Sequence, residues 1–225
     1  MLRVFSFALL LSLLIQVVLS QDTSLREVKQ AFDDANIPED IDLPFNPRFL
    51  LEVSLPQTSG SVIVLKAGVQ LPRNATVGPP SFTLAGHDIR DGPFVVAAID
   101  PDAPSPQNTT NAQVRHFLGG NFVSSRRSPG RAILTNTTAA VSDWRQPTPT
   151  AGTHRCAYIG LYLLLLFTSY RYTFLVFNQP RGFNGQTLVN ATTPITMFNI
   201  SEFGEAVGLG NPIAGTFMLV AADSA

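Results

Sequence analysis

Gly92-Pro93-Phe94-Val95-Val96-Ala97-Ala98-Ile99-Asp100-Pro101-Asp102-Ala103-Pro104 is the stretch around which the rest of the chain can be arranged. Residues 94–99 are all apolar and are bounded by Gly-Pro on one side and Pro101 on the other, the length and flanks of a buried strand rather than a helix. Two carboxylates therefore stand at the mouth of that strand. Pro101 and Pro104 hold φ and bias Asp100 and Ala103 toward extended backbone, so the turn is stiff. Such a turn suits the rim of a pocket; it equally suits a plain strand ending, because Asp and Pro commonly close turns. After a polar loop, Arg115-His116-Phe117-Leu118 and Asn121 open the next strand.

At 225 residues, 45% hydrophobic and only 14% charged, the chain can bury one sizeable core, and nothing in it reads as an interdomain linker. Gly and Pro punctuate short apolar runs and the aromatic content is mostly Phe, which favours strands and turns over a helical bundle. The formal charge of −1 leaves no electrostatic footprint for nucleic acid.

Residues 1–20 read as a signal peptide: Arg3 precedes an apolar run over 4–19, and Val18 and Ser20 occupy the −3 and −1 positions of a cut before Gln21. A retained membrane anchor is the rival, although the run is short for a span and lacks a charged stop. Secretion agrees with the acceptor sequons at Asn74, Asn108, Asn136, Asn190 and Asn199. The single Cys156 forms no internal disulfide, so the core alone must hold the fold.

Ser24 with Glu27 forms a capping pair that opens a short amphipathic helix ending before Pro38. Residues 44–56 read as extended, and further strands are expected over 61–65, 81–84, 94–99, 117–123, 132–135, 173–178 and 216–221. Residues 201–209 suit a helix with acids in the first turn and Gly210 as its stop. The expected fold is mainly β, a single domain over 21–225 built of strands and turns with a short helix near each end.

Asp100, Asp102, His116 and His154 are the groups that strand ends could bring to one edge of such a sheet. A histidine beside a carboxylate is biased toward its charged form, and that charge would attract a phosphate oxygen. Each histidine alone also fits a plain strand-end residue.

These motifs resemble those of the phosphatidylethanolamine-binding protein family, of the secreted, fungal type. The resemblance rests on Asp100-Pro101-Asp102-Ala103-Pro104-Ser105, Arg115-His116-Phe117-Leu118 with Asn121, Pro147, Gly152 with His154-Arg155, the tail from Gly208 to Phe217, and the segment from Ile37-Pro38 to Leu55. It implies an antiparallel β-sandwich-like fold with a few short peripheral helices and a small anion pocket at one end, walled by Asp100, Asp102, His116, the Pro147 loop, His154 and an aromatic, here Tyr172. It also implies a binding partner that is a phospholipid head group or another small phosphorylated ligand, or else a protease, with no catalytic residue, cofactor or metal.

One departure stands out. In the family the His-Arg pair runs directly into the aromatic, whereas here residues 156–171, very apolar and carrying Cys156, intervene before Tyr172. Two readings remain open: a translated short intron, or a true insert forming a hairpin that touches a membrane surface. A second feature is that residues 103–142 hold no Asp or Glu but do hold Arg115, Arg126, Arg127 and Arg131, which either surround an anionic-ligand pocket or lie scattered in solvated loops.

Three functions compete on these residues. The first is a secreted, non-catalytic binding protein for phosphate or phosphoethanolamine head groups. The second is an inhibitor of a serine carboxypeptidase or other protease. The third and weakest is a metal-dependent enzyme built on Asp100, His116 and His154, whose sequence spacing is wide for such a triad. No Gly-x-Ser-x-Gly elbow or phosphate-binding Gly-Lys-Ser/Thr loop is present.

Overall fold

The computed structural model describes residues 21–149, 155–159, 163–167 and 169–221, with backbone alone for 126, 127, 155–159 and 163–167. The proposed signal peptide and His154 lie outside the described residues. Helix α1 (Leu25–Asp34) starts where the capping pair placed it, with the Ser24 hydroxyl accepting from the Glu27 N–H at 3.3 Å. A further helical turn, α2 (Ile37–Asp40), takes Pro38 in its first turn, where proline's missing N–H removes no helical bond.

The strands are β1 (Leu50–Pro56), β2 (Val62–Val64), β3 (Val69–Leu71), β4 (Ser81–Ala85), β5 (Phe94–Asp100), β6 (Val114–Ser128), β7 (Arg131–Asn136), β8 (Arg155–Ile159), β9 (Leu163–Phe167), β10 (Ser169–Asn178) and β11 (Ala214–Ala221). Helix α3 (Ile200–Val207) is capped by the Asn199 side chain and ends at Gly208, whose φ of 78° is the left-handed conformation glycine adopts freely; Gly210 is not the stop.

Nine strands form one sheet in the order β2-β1-β4-β7-β6-β5-β10-β11-β3, with every pairing antiparallel except β11 with β3. The sheet curls back on itself: the N–H groups of Arg48 and Phe49, leading into β1, both donate to the Ile213 carbonyl beside β11. This is the mainly β architecture that the punctuated apolar runs called for, in the sandwich-like form that the resemblance implied.

Strand β5 is apolar at every position because both of its faces are covered. Phe94, Val96 and Ala98 point into the curl with Leu51, Phe82, Phe174 and Met218. Val95, Ala97 and Ile99 point the other way, onto Val28 and Phe32 of α1, Ile37 and Ile41 around α2, and Ile200 and Phe203 of α3. Gly215 lets α1 approach β11: a Cβ there would meet the Phe174 carbonyl at 2.9 Å and the rings of Phe45 and Phe32 at 3.0 and 3.1 Å.

The apolar insert divides. Strands β8 and β9 pair only with each other, as a separate two-stranded sheet. Residues 169–171, which the sequence assigns to the insert, are instead the first residues of β10 and are paired to β11.

Candidate functional site

A bulge builds the site. Between β5 and β6 the register passes from Ala98 opposite Phe117 to Ile99 opposite Arg115, leaving His116 as the extra residue. Phe117 belongs to the cluster inside the curl, and His116 faces the same side, its ring 5.0 Å from Tyr172 and 6.3 Å from Trp144. Two consecutive side chains on one face is what a bulge permits and regular alternation forbids.

The result is a cavity of about 250 Å³ at the end of β5, β6 and β10, lined by Asp100, His116, Tyr170, Tyr172, Arg145 and Ile195 among others. Asp100 is 4% exposed, and its Oδ1 accepts from the Asp102 N–H at 2.7 Å. Tyr172, as a hydrogen-bonding neighbour, adds to the Asp102 N–H in drawing the Asp100 pKa down. Both bonds favour the carboxylate, but burial outweighs them and pushes the Asp100 pKa up to about 8. Asp100 is thus a neutral acid at pH 7. Burial, reinforced by the Asp100 charge, likewise raises the Tyr172 pKa well above its ordinary value.

His116 reverses the sequence expectation of a charged imidazole. It is 4% exposed, and burial brings its pKa down to about 4, against the opposing pull of its bond to Arg145. Its Nδ1 lies 2.8 Å from the Arg145 carbonyl, which can only accept, so Nδ1 carries the proton and Nε2 is the acceptor. Among the described lining residues the one fixed positive charge is that of Arg145, an exposed side chain.

Asp102 does not line the pocket. It is fully buried behind the turn, where its carboxylate accepts from the Arg171 N–H (2.8 Å), Nε (3.0 Å) and Nη2 (2.6 Å). Arg171 reaches on through Nη1 to Asp40 at 2.6 Å and to the Ala35 carbonyl at 2.5 Å. Burial alone would lower the Arg171 pKa, but its bonds to the two carboxylates hold it above the usual value. Asp102 is therefore a fastener between the turn, β10 and the helix pair. Tyr170 adds a second tie through its hydroxyl, which donates to the Pro104 carbonyl at 2.5 Å.

Pro147 is buried, and its carbonyl accepts from Arg73 Nε at 3.1 Å, so the loop contributes Gln146 and Thr148 to the wall rather than the proline. Arg115 is buried on the other face of β6. It clamps the loop before α3, donating to the Thr193 and Pro194 carbonyls while its own N–H donates to Ile195, and so sets Ile195 as a wall. Arg131 pairs with the buried Glu52. Neither arginine surrounds the pocket mouth, which corrects the reading of the acid-free window for the two members whose side chains are described.

The walls that sequence reading missed, Arg145, Tyr170 and Ile195, come from three separate segments and carry no motif of their own. Among the described residues no group of three His, Cys, Asp or Glu side chains is placed to hold a metal. The sequon residues Asn74, Asn108, Asn136, Asn190 and Asn199 are all exposed.

The model of the family "Phosphatidylethanolamine-binding protein" matches residues 59–218. Protein BROTHER of FT and TFL 1 from Arabidopsis thaliana is 27% identical over 174 residues, 77% of this chain and 80% of that protein. A 26 kDa secreted antigen of Toxocara canis is 28% identical over 127 residues, 55% of this chain and 40% of that protein. Among solved structures, a carboxypeptidase Y inhibitor complexed with its cognate proteinase superposes with a TM-score of 0.69 at 16% identity, covering 88% of this chain and 97% of that one.

Proposed function

The chain belongs to the phosphatidylethanolamine-binding protein family, and from that premise we propose that it is a secreted, non-catalytic binding protein whose pocket takes the phosphate or phosphoethanolamine head group of a phospholipid. The observation that carries this reading is the pocket itself: a neutral acid, a neutral imidazole acceptor and a phenol on the floor, with Arg145 on the wall. A phosphodiester monoanion can meet the Arg145 guanidinium and accept from the protonated Asp100 while the head-group ammonium donates to His116 Nε2, with no buried charge left unpaired. Secretion is supported by the apolar run over 4–19, the exposed sequons and the likeness to a secreted antigen. Peripheral membrane contact would fall to the apolar hairpin of β8 and β9.

Titration with phosphoethanolamine tests the reading, followed by the imidazole resonances of His116. Saturable shifts are expected in the native chain, with calorimetric binding lost in His116→Ala; an unchanged spectrum at millimolar ligand would overturn it. A second reading, inhibition of a serine carboxypeptidase or another protease, draws on the likeness to the carboxypeptidase Y inhibitor. It expects inhibition that survives His116→Ala and is lost when residues 21–36 are deleted.

A further inference from the structure

A second hollow lies beside the head-group pocket on the same face of the sheet. It measures about 620 Å³ and is lined chiefly by Pro80, Phe82, Phe117, Phe122, Leu134 and Trp144. The bulge that sends His116 into the polar pocket sends its neighbour Phe117 into this one. The wall between them is a short strap running beside β6. Ser142 and Leu118 exchange both backbone bonds at 3.0 Å, and the Arg145 N–H donates to the His116 carbonyl at 2.9 Å. Consecutive residues of that strap serve different hollows: Trp144 belongs to the apolar one and Arg145 to the polar one. Trp144 is fixed by its Nε1–H donating to the Thr76 carbonyl at 3.2 Å and by its ring stacking on Phe174 at 5.8 Å.

We propose that this hollow holds one acyl chain of a phospholipid whose head group occupies the Asp100 and His116 pocket; the inference rests on the head-group reading above. The chemistry selects an amphiphile. A free phosphate would use the polar pocket alone, and a plain hydrocarbon would leave Arg145 and the acid unused. The volume lies within the range of small-molecule sites; Ser81, Thr135, Asn136 and Asp143 also line the hollow, while its aromatic rings and Leu134 supply the apolar wall that an alkyl chain matches. The geometry makes the two hollows one site for a molecule with a polar end and an apolar end.

Trp144 is the sole tryptophan of the chain and lines this hollow, so quenching by a brominated acyl chain, set against unbrominated phosphoethanolamine in the polar pocket, reads out occupancy of the hollow. Lysophosphatidylethanolamine carrying a brominated acyl chain, added below its micelle concentration, is expected to quench Trp144 saturably at one molecule per protein. Phosphoethanolamine is expected to relieve that quenching by competing for the head-group pocket. In a series from butanoyl to decanoyl, affinity is expected to rise by about fourfold per methylene buried until the hollow is full. Ala140→Phe, which fills the hollow from the strap side, is expected to remove the chain-length dependence, with thermal unfolding verifying that the variant is folded. Head-group shifts at His116 without quenching, or with an affinity indifferent to chain length, overturn this inference alone. No shifts with phosphoethanolamine overturn the head-group reading and this inference with it.

Discussion

The two carboxylates of the turn after β5 stand two residues apart in sequence and live in opposite electrostatic worlds. In front of the turn, Asp100 faces the pocket, where burial outweighs the pull of the Arg171 charge behind it, and it keeps its proton to about pH 8. Behind the turn, Asp102 meets a guanidinium through three donors of Arg171, which also reaches Asp40. The same residue type at nearly equal burial becomes a hydrogen-bonding wall in one place and half of an ion pair in the other. Burial does not choose between these outcomes; the partner does.

Breaking the rear side should do the most damage. Arg171→Met leaves the Asp102 carboxylate buried without its cation, and a loss of about 3–5 kcal/mol is expected in urea unfolding. Asp102→Leu in the same chain should recover much of it, since both charges are then gone. A loss from Arg171→Met no larger than that of an exposed-residue variant would mean that Asp102 is not held as the structure holds it.

The front side should respond to pH instead. Asp100→Asn replaces a protonated acid by a near-isostere and is expected to change stability by about 1 kcal/mol or less below about pH 4, where both states of the native chain hold the proton. At pH 7 the variant should be the more stable chain, because the unfolded native chain has released that proton. In the native chain the folded state keeps a proton that the unfolded state releases near pH 4, so the contribution of Asp100 is complete below that pH and is lost as pH rises through about 8. His116 runs the other way: its contribution is complete above its ordinary pKa of about 6.5 and is lost as pH falls through about 4. Phosphoethanolamine affinity should decline above about pH 8, by at most about tenfold per unit, as Asp100 becomes an anion. In Asp100→Asn the stability decline between about pH 4 and 8 and the affinity decline above about pH 8 should both flatten; a profile identical to the native chain would place the titration elsewhere.

The smallest effect is expected from the largest edit. Arg155 precedes the insert as Arg171 precedes Tyr172, so deleting residues 156–171 brings Arg155 next to Tyr172, where it can take over the pair with Asp102. The hairpin of β8 and β9 is not paired into the main sheet, and with residues 153–155 taking the places of Ser169, Tyr170 and Arg171 opposite β11, the deletion should shift unfolding by about 1 kcal/mol, the loss of the Tyr170 bond to Pro104. Loss of folding would instead make the hairpin part of the core, and would weigh against the reading of this segment as a translated intron.

Much of the architecture was legible along the chain because strands and turns are local. The run over 94–99, the capping pair at Ser24 and the alternation of Leu51, Val53 and Leu55 each carry their own periodicity. Strand β3 was not legible, since three residues are too few to show a period and its partner β11 lies far along the chain. The Asp-Pro-Asp turn and His116 were recognisable as site residues, whereas Arg145, Tyr170 and Ile195 were not. Arg145 arrives through the Ser142 strap and Ile195 through the Arg115 clamp. Tyr170 sits at the end of an apolar segment that reads as foreign to the fold.

Taken alone, the order of residues determined that this is a β domain with an acid-proline turn near a histidine, because such patterns depend on neighbours within a few positions. Only the tertiary structure decided which aspartate faces the pocket, that the histidine is neutral, and that an apolar hollow adjoins it. Protonation follows from how much water the surrounding segments exclude and from which charges they bring near. Those segments come from β6, β10 and the strap, and their meeting is written in no single stretch of the chain.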